Sequence, residues 1–242
     1  MKSQKVTSNV PEPETEQQAA SQPRPAEHGR WYADGCGAAF ALEVLGERWA
    51  MLIVRELLLG PRRFSQLRTA LPKISARVLT ERLEGLERHG VIERQEVTEP
   101  VPARFYALTE WGRAAEPAIL ALCRWGLSAR AHDPGIGVSP VAAVLSLKAN
   151  YKGADGGDPI TVGLKIGDAR FVARLGETME VERGDPAEAQ IVLSAEQPMP
   201  ILAAFYRQTG LSNLAGSLSA RGDIAAAQAA IARFAFPDRL TP

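Results

Sequence analysis

Cysteine is scarce in this chain of 242 residues: there are two, Cys36 and Cys123. That number fits a reducing compartment such as the cytoplasm and is too small for a zinc site built from paired CxxC motifs. The three histidines, His28, His89 and His132, lie far apart in sequence. Net charge is also missing, with 28 Lys+Arg against 28 Asp+Glu. A uniformly basic nucleic-acid coat is thereby excluded, while a local basic patch is not. No apolar run approaches the ~18 residues that a membrane span needs, so no membrane partner is expected. The polar first 30 residues contain no apolar core of a secretory signal. Glycine-rich phosphate loops, HExxH and GxSxG are absent too. No residue set makes a catalytic centre, and the expectation is a non-enzyme without metal or cofactor.

What is present is ordinary globular material, 45% hydrophobic and 23% charged. At roughly 150 residues per domain the length suggests one or two domains. Residues 1–30 read as a disordered tail, because stretches such as Pro11-Glu-Pro-Glu-Thr-Glu offer little to bury. Residues 31–131 are helical in style, with one strand pair. The turn-rich segment 132–137 reads as a linker, and residues 138–242 form a second domain of short alternating strands and helices.

Within the first domain, a helix is expected over residues 36–45 and another over 49–59. The run Met51-Leu-Ile-Val-Arg-Glu-Leu-Leu-Leu marks the second as the buried centre. Gly60 and Pro61 stop it. A short helix over 65–71, a turn at Pro72-Lys73-Ile74 and a helix over 75–89 then give a helix-turn-helix, with Ser75 as N-cap and Gly90 as stop. At ~100° per residue, Leu79, Leu83 and Leu86 share one side of the third helix. Arg77, Thr80 and Glu81 are left outward in its N-terminal half, the part that enters a major groove. Arg77 and Glu81 also suit a solvated i,i+4 pair. Two strands around residues 91–98 and 104–109, joined by a proline-bearing loop, make a hairpin wing. Between Pro61 and Arg82 there are six positive residues and one negative. Such a local excess supplies phosphate contacts. The candidate DNA-binding residues are Arg62, Arg63, Lys73, Ser75, Arg77, Thr80, Glu81 and, on the wing, Arg104.

Several short motifs fall in order here: Gly46-Glu-Arg-Trp49, Leu52-Ile-Val-Arg-Glu-Leu57, Gly60-Pro-Arg-Arg-Phe-Ser65, Leu71-Pro-Lys-Ile-Ser75, Leu79-Thr-Glu-Arg-Leu83, Gly90-Val-Ile-Glu-Arg94 and Tyr106-Ala-Leu-Thr-Glu110. With Cys36 ahead of them, they resemble the HxlR-type (MarR-like) winged-helix transcription regulators over residues 34–128. Ala38-Ala39 departs from the proline or charged residue that often follows there. The resemblance implies a homodimer on double-stranded DNA at a pseudo-palindromic operator. It also implies an interface built by the first helix and the helix after the wing. That last helix, expected over 110–130 with a kink or fresh start at Pro117, has the apolar set Ile119, Leu120, Leu122, Trp125 and Leu127. Packing within its own domain is the other use for that set. Some members of the family sense oxidants through a cysteine at the head of the domain. Cys36, at a helix N-terminus that lowers a thiol's pKa, is the candidate redox-sensing residue, against a plain packing role. Cys123 reads as structural, and a Cys36–Cys123 bridge stays open.

In the second domain, Ser139-Pro140 starts a helix to about Asn150. Ile160, Val162, Leu164 and Ile166 alternate as a half-buried strand. Gly-Asp and Gly-Glu turns suggest an antiparallel meander of four strands over residues 160–195. A helix over 198–210, a fifth strand at Leu218 and Ala220, and a helix over 224–236 follow. The expected fold class is α+β with an antiparallel sheet and helices on one face. The strand order and Leu218-Ser-Ala-Arg-Gly-Asp223 resemble sterol-carrier-protein-like domains. That resemblance implies a tunnel between sheet and helices for an apolar small molecule. The candidate walls are Met199, Leu202, Phe205, Tyr206, Leu211, Leu214, Leu218 and Phe234. All eight also suit a plain core. The reading is thus a DNA-binding transcriptional regulator controlled by an apolar ligand. A redox-sensing regulator acting through Cys36 and a lipid carrier with a vestigial winged helix are the alternatives.

Overall fold

The computed structural model describes residues 32–97, 103–154, 156–206, 211–214 and 216–240. The expected tail, the wing loop and the stretch 207–210 of the helix expected over 198–210 lie outside these. The chain divides into two compact units, one ending at Glu43 and one running from Val44 onward.

In the first unit, the Tyr32 N–H donates to Glu43 Oε1 at 2.6 Å and the Cys36 N–H to Asp34 Oδ1 at 2.9 Å. Helix α1, Gly37–Leu45, begins one residue after Cys36, whose carbonyl accepts the Phe40 N–H.

The second unit opens with α2, Ala50–Leu57, which buries Ile53, Val54 and Leu57. It ends two residues before the expected stop, and Gly60 beyond it takes a left-handed φ of 111°. Helix α3, Phe64–Ala70, and helix α4, Ala76–Arg88, are joined by a turn closed from the Ile74 N–H to the Leu71 carbonyl. Ser75 Oγ accepts the Val78 N–H at 3.2 Å and so caps α4 as its sequence demands. Leu79, Leu83 and Leu86 are its buried side. Gly90, at φ 70°, turns the chain into β1, Ile92–Val97, which pairs antiparallel with β2, Ala103–Leu108. Arg62 adds a short third edge by exchanging both backbone hydrogen bonds with Tyr106. Thr109 caps a short helix α5, Glu110–Arg113, and α6, Glu116–Ser128, makes a fresh start with Pro117 in its first turn. There the missing N–H costs no helical bond.

Helix α7, Pro140–Ala149, is capped by Ser139 Oγ on the Ala142 N–H at 3.0 Å. The five strands are β3, Ile160–Ile166; β4, Ala169–Leu175; β5, Met179–Arg183; β6, Ile191–Ala195; and β7, Ser219–Gly222. Their order is β5-β4-β3-β6-β7. Only the first three form a meander. Strand β6 lies parallel to β3, with Val162 opposite Ile191, so the sheet is mixed and not antiparallel throughout. Strands β5 and β6 therefore point the same way and need a crossover. The short segment 184–190 supplies it, placing Pro186 against Gly163, where a Cβ would sit 2.4 Å from the proline ring.

Helices α8, Pro198–Tyr206, and α9, Ile224–Ala232, share one apolar cluster with α7 and the sheet. The last helix stops short of its expected end at residue 236. Phe171, Phe205 and Phe234 are fully buried in that cluster, with Phe205 and Phe234 edge to face at 4.7 Å. These rings lie in the layer between sheet and helices, the place that the resemblance gives to a tunnel.

The two apolar clusters are tied together. Leu59, just after α2, belongs to the C-terminal cluster, and Leu120 of α6 packs on it. Arg124 Nε donates to the Ala149 carbonyl at 2.8 Å, and Lys148 pairs with Glu116 at 2.6 Å. Leu240 returns to pair beside Ala129, its N–H on the Ser128 carbonyl at 2.9 Å. Among the described residues no helix is long and apolar enough to cross a membrane, and no group of three metal-ligating side chains occurs.

Candidate nucleic-acid interface

With the leucines of α4 turned inward, its opposite side carries the expected residues. Lys73, Ser75, Arg77, Thr80 and Glu81 are all exposed along the α3–α4 turn and the first turns of α4. Arg63, also exposed, sits at the head of α3 with its guanidinium 5.1 Å from the Phe105 ring centroid. Arg77 Nε donates to Glu81 Oε1 at 2.8 Å, the solvated i,i+4 pair that was the other reading. That bond and the carboxylate's charge hold the Arg77 guanidinium above its usual pKa. Arg104, on the wing, pairs across the strands with Glu96 at 3.0 Å and remains well exposed.

Arg62 departs from expectation. Its side chain turns inward, Nε is buried without a hydrogen bond, and burial lowers its pKa against the opposing pull of Glu56. A basic residue in a sequence reports charge but not direction. The pairing of Arg62 backbone with Tyr106 accompanies this direction, which brings the side chain toward Glu56 and Arg183. Arg82, counted in the positive excess, is likewise engaged, with Glu47 at 2.9 Å and with the Arg48 carbonyl. The remaining basic stripe is Arg63, Arg68, Lys73 and Arg77, all exposed.

Beside Arg62 lies a cluster that the sequence signals only by one acid in the apolar run of α2. Glu56 is 0% exposed. Its Oε1 accepts Ser139 Oγ–H at 2.6 Å and two Arg55 N–H groups at 3.2 and 2.9 Å. Burial and the neighbouring Arg62 charge lower the Arg183 pKa to about 10, with Glu56 opposing. The Arg183 guanidinium also lies 4.8 Å from the Phe171 ring centroid.

The eight candidate wall residues divide. Met199, Leu202, Tyr206 and Leu214 border one cavity of about 550 Å³. Leu202, Phe205, Leu218 and Phe234 belong to the buried core, and Met199, Tyr206, Leu211 and Leu214 pack on it partly buried. The cavity faces the linker, on the side of α8 away from Phe205. Tyr206 bonds Ser146 Oγ at 2.7 Å and Asn150 Nδ2 at 3.2 Å, and burial pushes its hydroxyl up to about 12. Both cysteines are free thiols. Cys36 is exposed, and the N–H groups of Ala38 and Ala39 lower its pKa. Burial raises that of Cys123.

A family model described as HxlR-like helix-turn-helix matches residues 44–133. YdeP of Bacillus subtilis, an uncharacterized HTH-type transcriptional regulator, is 40% identical over 93 residues, which are 38% of this chain and 73% of YdeP. YvaP of the same organism, described in the same words, is 44% identical over 86 residues, 35% of this chain and 79% of YvaP. Among solved structures, the redox regulator HypR in its oxidized form is 35% identical, covers 40% of this chain and 100% of its own, and has a TM-score of 0.38. The capped α4, its buried leucines, the matching family model and the identity to YdeP and YvaP lead to one assignment: the chain belongs to the HxlR-like helix-turn-helix family of transcriptional regulators.

Proposed function

We propose that the protein binds double-stranded DNA as a homodimer on a pseudo-palindromic operator, with the N-terminal half of α4 in the major groove. The observation that carries this reading is the exposed stripe Arg63, Lys73, Arg77 and Thr80, backed by the buried leucines of α4. Leu122 and Trp125 of α6, 46% and 72% exposed, support a dimer contact. We read residues 138–242 as a sterol-carrier-like domain that takes an apolar small molecule and biases the dimer between DNA-binding states. The binding space is the one bordered by Met199, Leu202, Tyr206 and Leu214.

The test is fluorescence anisotropy of the reduced protein on DNA from its own upstream region, at several salt concentrations. Operator binding should exceed random DNA by about 10³ or more. Lys73→Ala and Arg77→Ala should each weaken binding on all sequences and reduce the salt slope by about 1. Equal, weak binding across a genomic fragment library would overturn the reading.

A second reading, redox control, is favoured by Cys36. Its exposed thiol sits at a helix start with two N–H groups lowering its pKa. Thiolate is the reactive form, and a lowered pKa keeps it populated as pH falls. Cys36 should therefore alkylate with iodoacetamide faster than Cys123 at neutral pH, and lose its reactivity at a lower pH. Peptide mapping after timed quenching gives both rates. Equal rates would remove this reading.

A further inference from the structure

The 550 Å³ cavity has a neighbour. A second space of about 300 Å³ lies among α2, α6 and α7, and Leu127, His132, Val138, Ala142 and Ser146 border both. Together they form a cleft at the junction of the helix-turn-helix part and the C-terminal part. Segment 132–138 crosses between the two spaces. The wall is mainly aliphatic: Leu52 and Leu120 on one side of the crossing, Met199 and Leu202 on the other. Cavities of several hundred Å³ with a few polar groups accommodate small organic molecules.

The polar groups are unequal. Tyr206 and Ser146 satisfy one another. His132 borders both spaces, and its Nδ1 is buried without a hydrogen bond. A buried imidazole nitrogen without a partner costs stability, and a ligand oxygen beside the ring would restore the bond.

We propose that this junction cleft binds an amphipathic small molecule, with its aliphatic body between α6, α7 and α8 and one oxygen-bearing head at His132. The inference rests on the reading that a small apolar molecule controls the protein. It moves the site out of the sheet–helix layer and onto the helix that carries Trp125. Such a ligand touches Leu127 at the end of α6 and Leu52 of α2, so its occupancy acts directly on the DNA-reading part.

The experiment titrates the full chain with 1-anilinonaphthalene-8-sulfonate, then displaces the dye with decanoic acid or 1-decanol. Saturable binding of one dye per chain is expected. Ala203→Trp and Ala142→Trp, which fill the larger space and the shared wall, should each weaken it about tenfold or more. His132→Ala should weaken the competitor that succeeds by several-fold. Displacement by the acid alone assigns a carboxylate head, and by the alcohol a hydroxyl head. No saturable binding, displacement by neither competitor, or binding that both tryptophan variants leave unchanged would overturn the proposal. Thermal melts establish that the variants are folded. Operator binding without dye is measured on the same samples, so that the DNA reading and the cleft can fail separately.

Discussion

Glu56→Ala should destabilise the protein by about 3–5 kcal/mol, measured by urea unfolding. Glu56 supplies the negative charge among Arg55, Arg62 and Arg183, and it accepts the hydroxyl that caps α7. Truncating it leaves the Ser139 hydroxyl without its acceptor. It also leaves partly buried guanidinium groups facing one another without an anion. Glu56→Gln retains an oxygen for Ser139 but not the charge, and its loss should be smaller. Glu116→Gln breaks an ion pair with Lys148 whose partners both reach solvent, and should cost about 1 kcal/mol or less. If Glu56→Ala matched Glu116→Gln, the buried cluster would contribute no more than a solvent-reaching ion pair.

Phe205→Ala should cost about 3–5 kcal/mol. The ring is 2% exposed and meets Phe234 edge to face, so truncation opens a hole inside a close-packed layer. Leu214→Ala, on the wall of an existing cavity, removes fewer contacts and should cost clearly less. The comparison decides where the ligand space lies. A tunnel between sheet and helices would make Phe205 cheap to truncate in the absence of ligand. A filled layer makes it expensive, whatever occupies the cleft.

The same helix explains how much of the candidate site was legible in the sequence. Helix α8 is apolar on two sides. Ile201, Ala204 and Phe205 form the buried side, while Met199, Leu202, Ala203 and Tyr206 border the cavity. Periodicity identifies a helix with two apolar sides but not which one meets solid core. All eight wall residues therefore lie in the buried cluster or against it, and four of them also border the cavity. The helix-turn-helix was more legible because each boundary has a local cause: Ser75 for the cap, Gly90 for the stop, Thr109 for the turn into α5. The parallel placement of β6 was hidden, because a short connection after β5 reads as one more hairpin. Gly163, between Thr161 and Lys165 in the other series of β3, leaves the room that Pro186 of the crossing chain takes. The inward turn of Arg62 was hidden because a sequence gives charge without direction, and Glu56 is, in sequence, only one acid within an apolar run. His132 went unused because its chemistry arises from the cleft around it.

The pairing of Leu240 with Ala129 has a consequence for the order of synthesis. Residues 44–128 leave the ribosome long before residue 240 does, and N-terminal elements fold first. The DNA-reading part thus exists for a time with the end of α6 unpaired and the junction cleft unroofed. Phe236 and Arg239, which border the larger space in the finished chain, are then not yet in place. On the proposal that the cleft takes a ligand, the conditions of synthesis bear on its occupancy as well as those met by the finished chain.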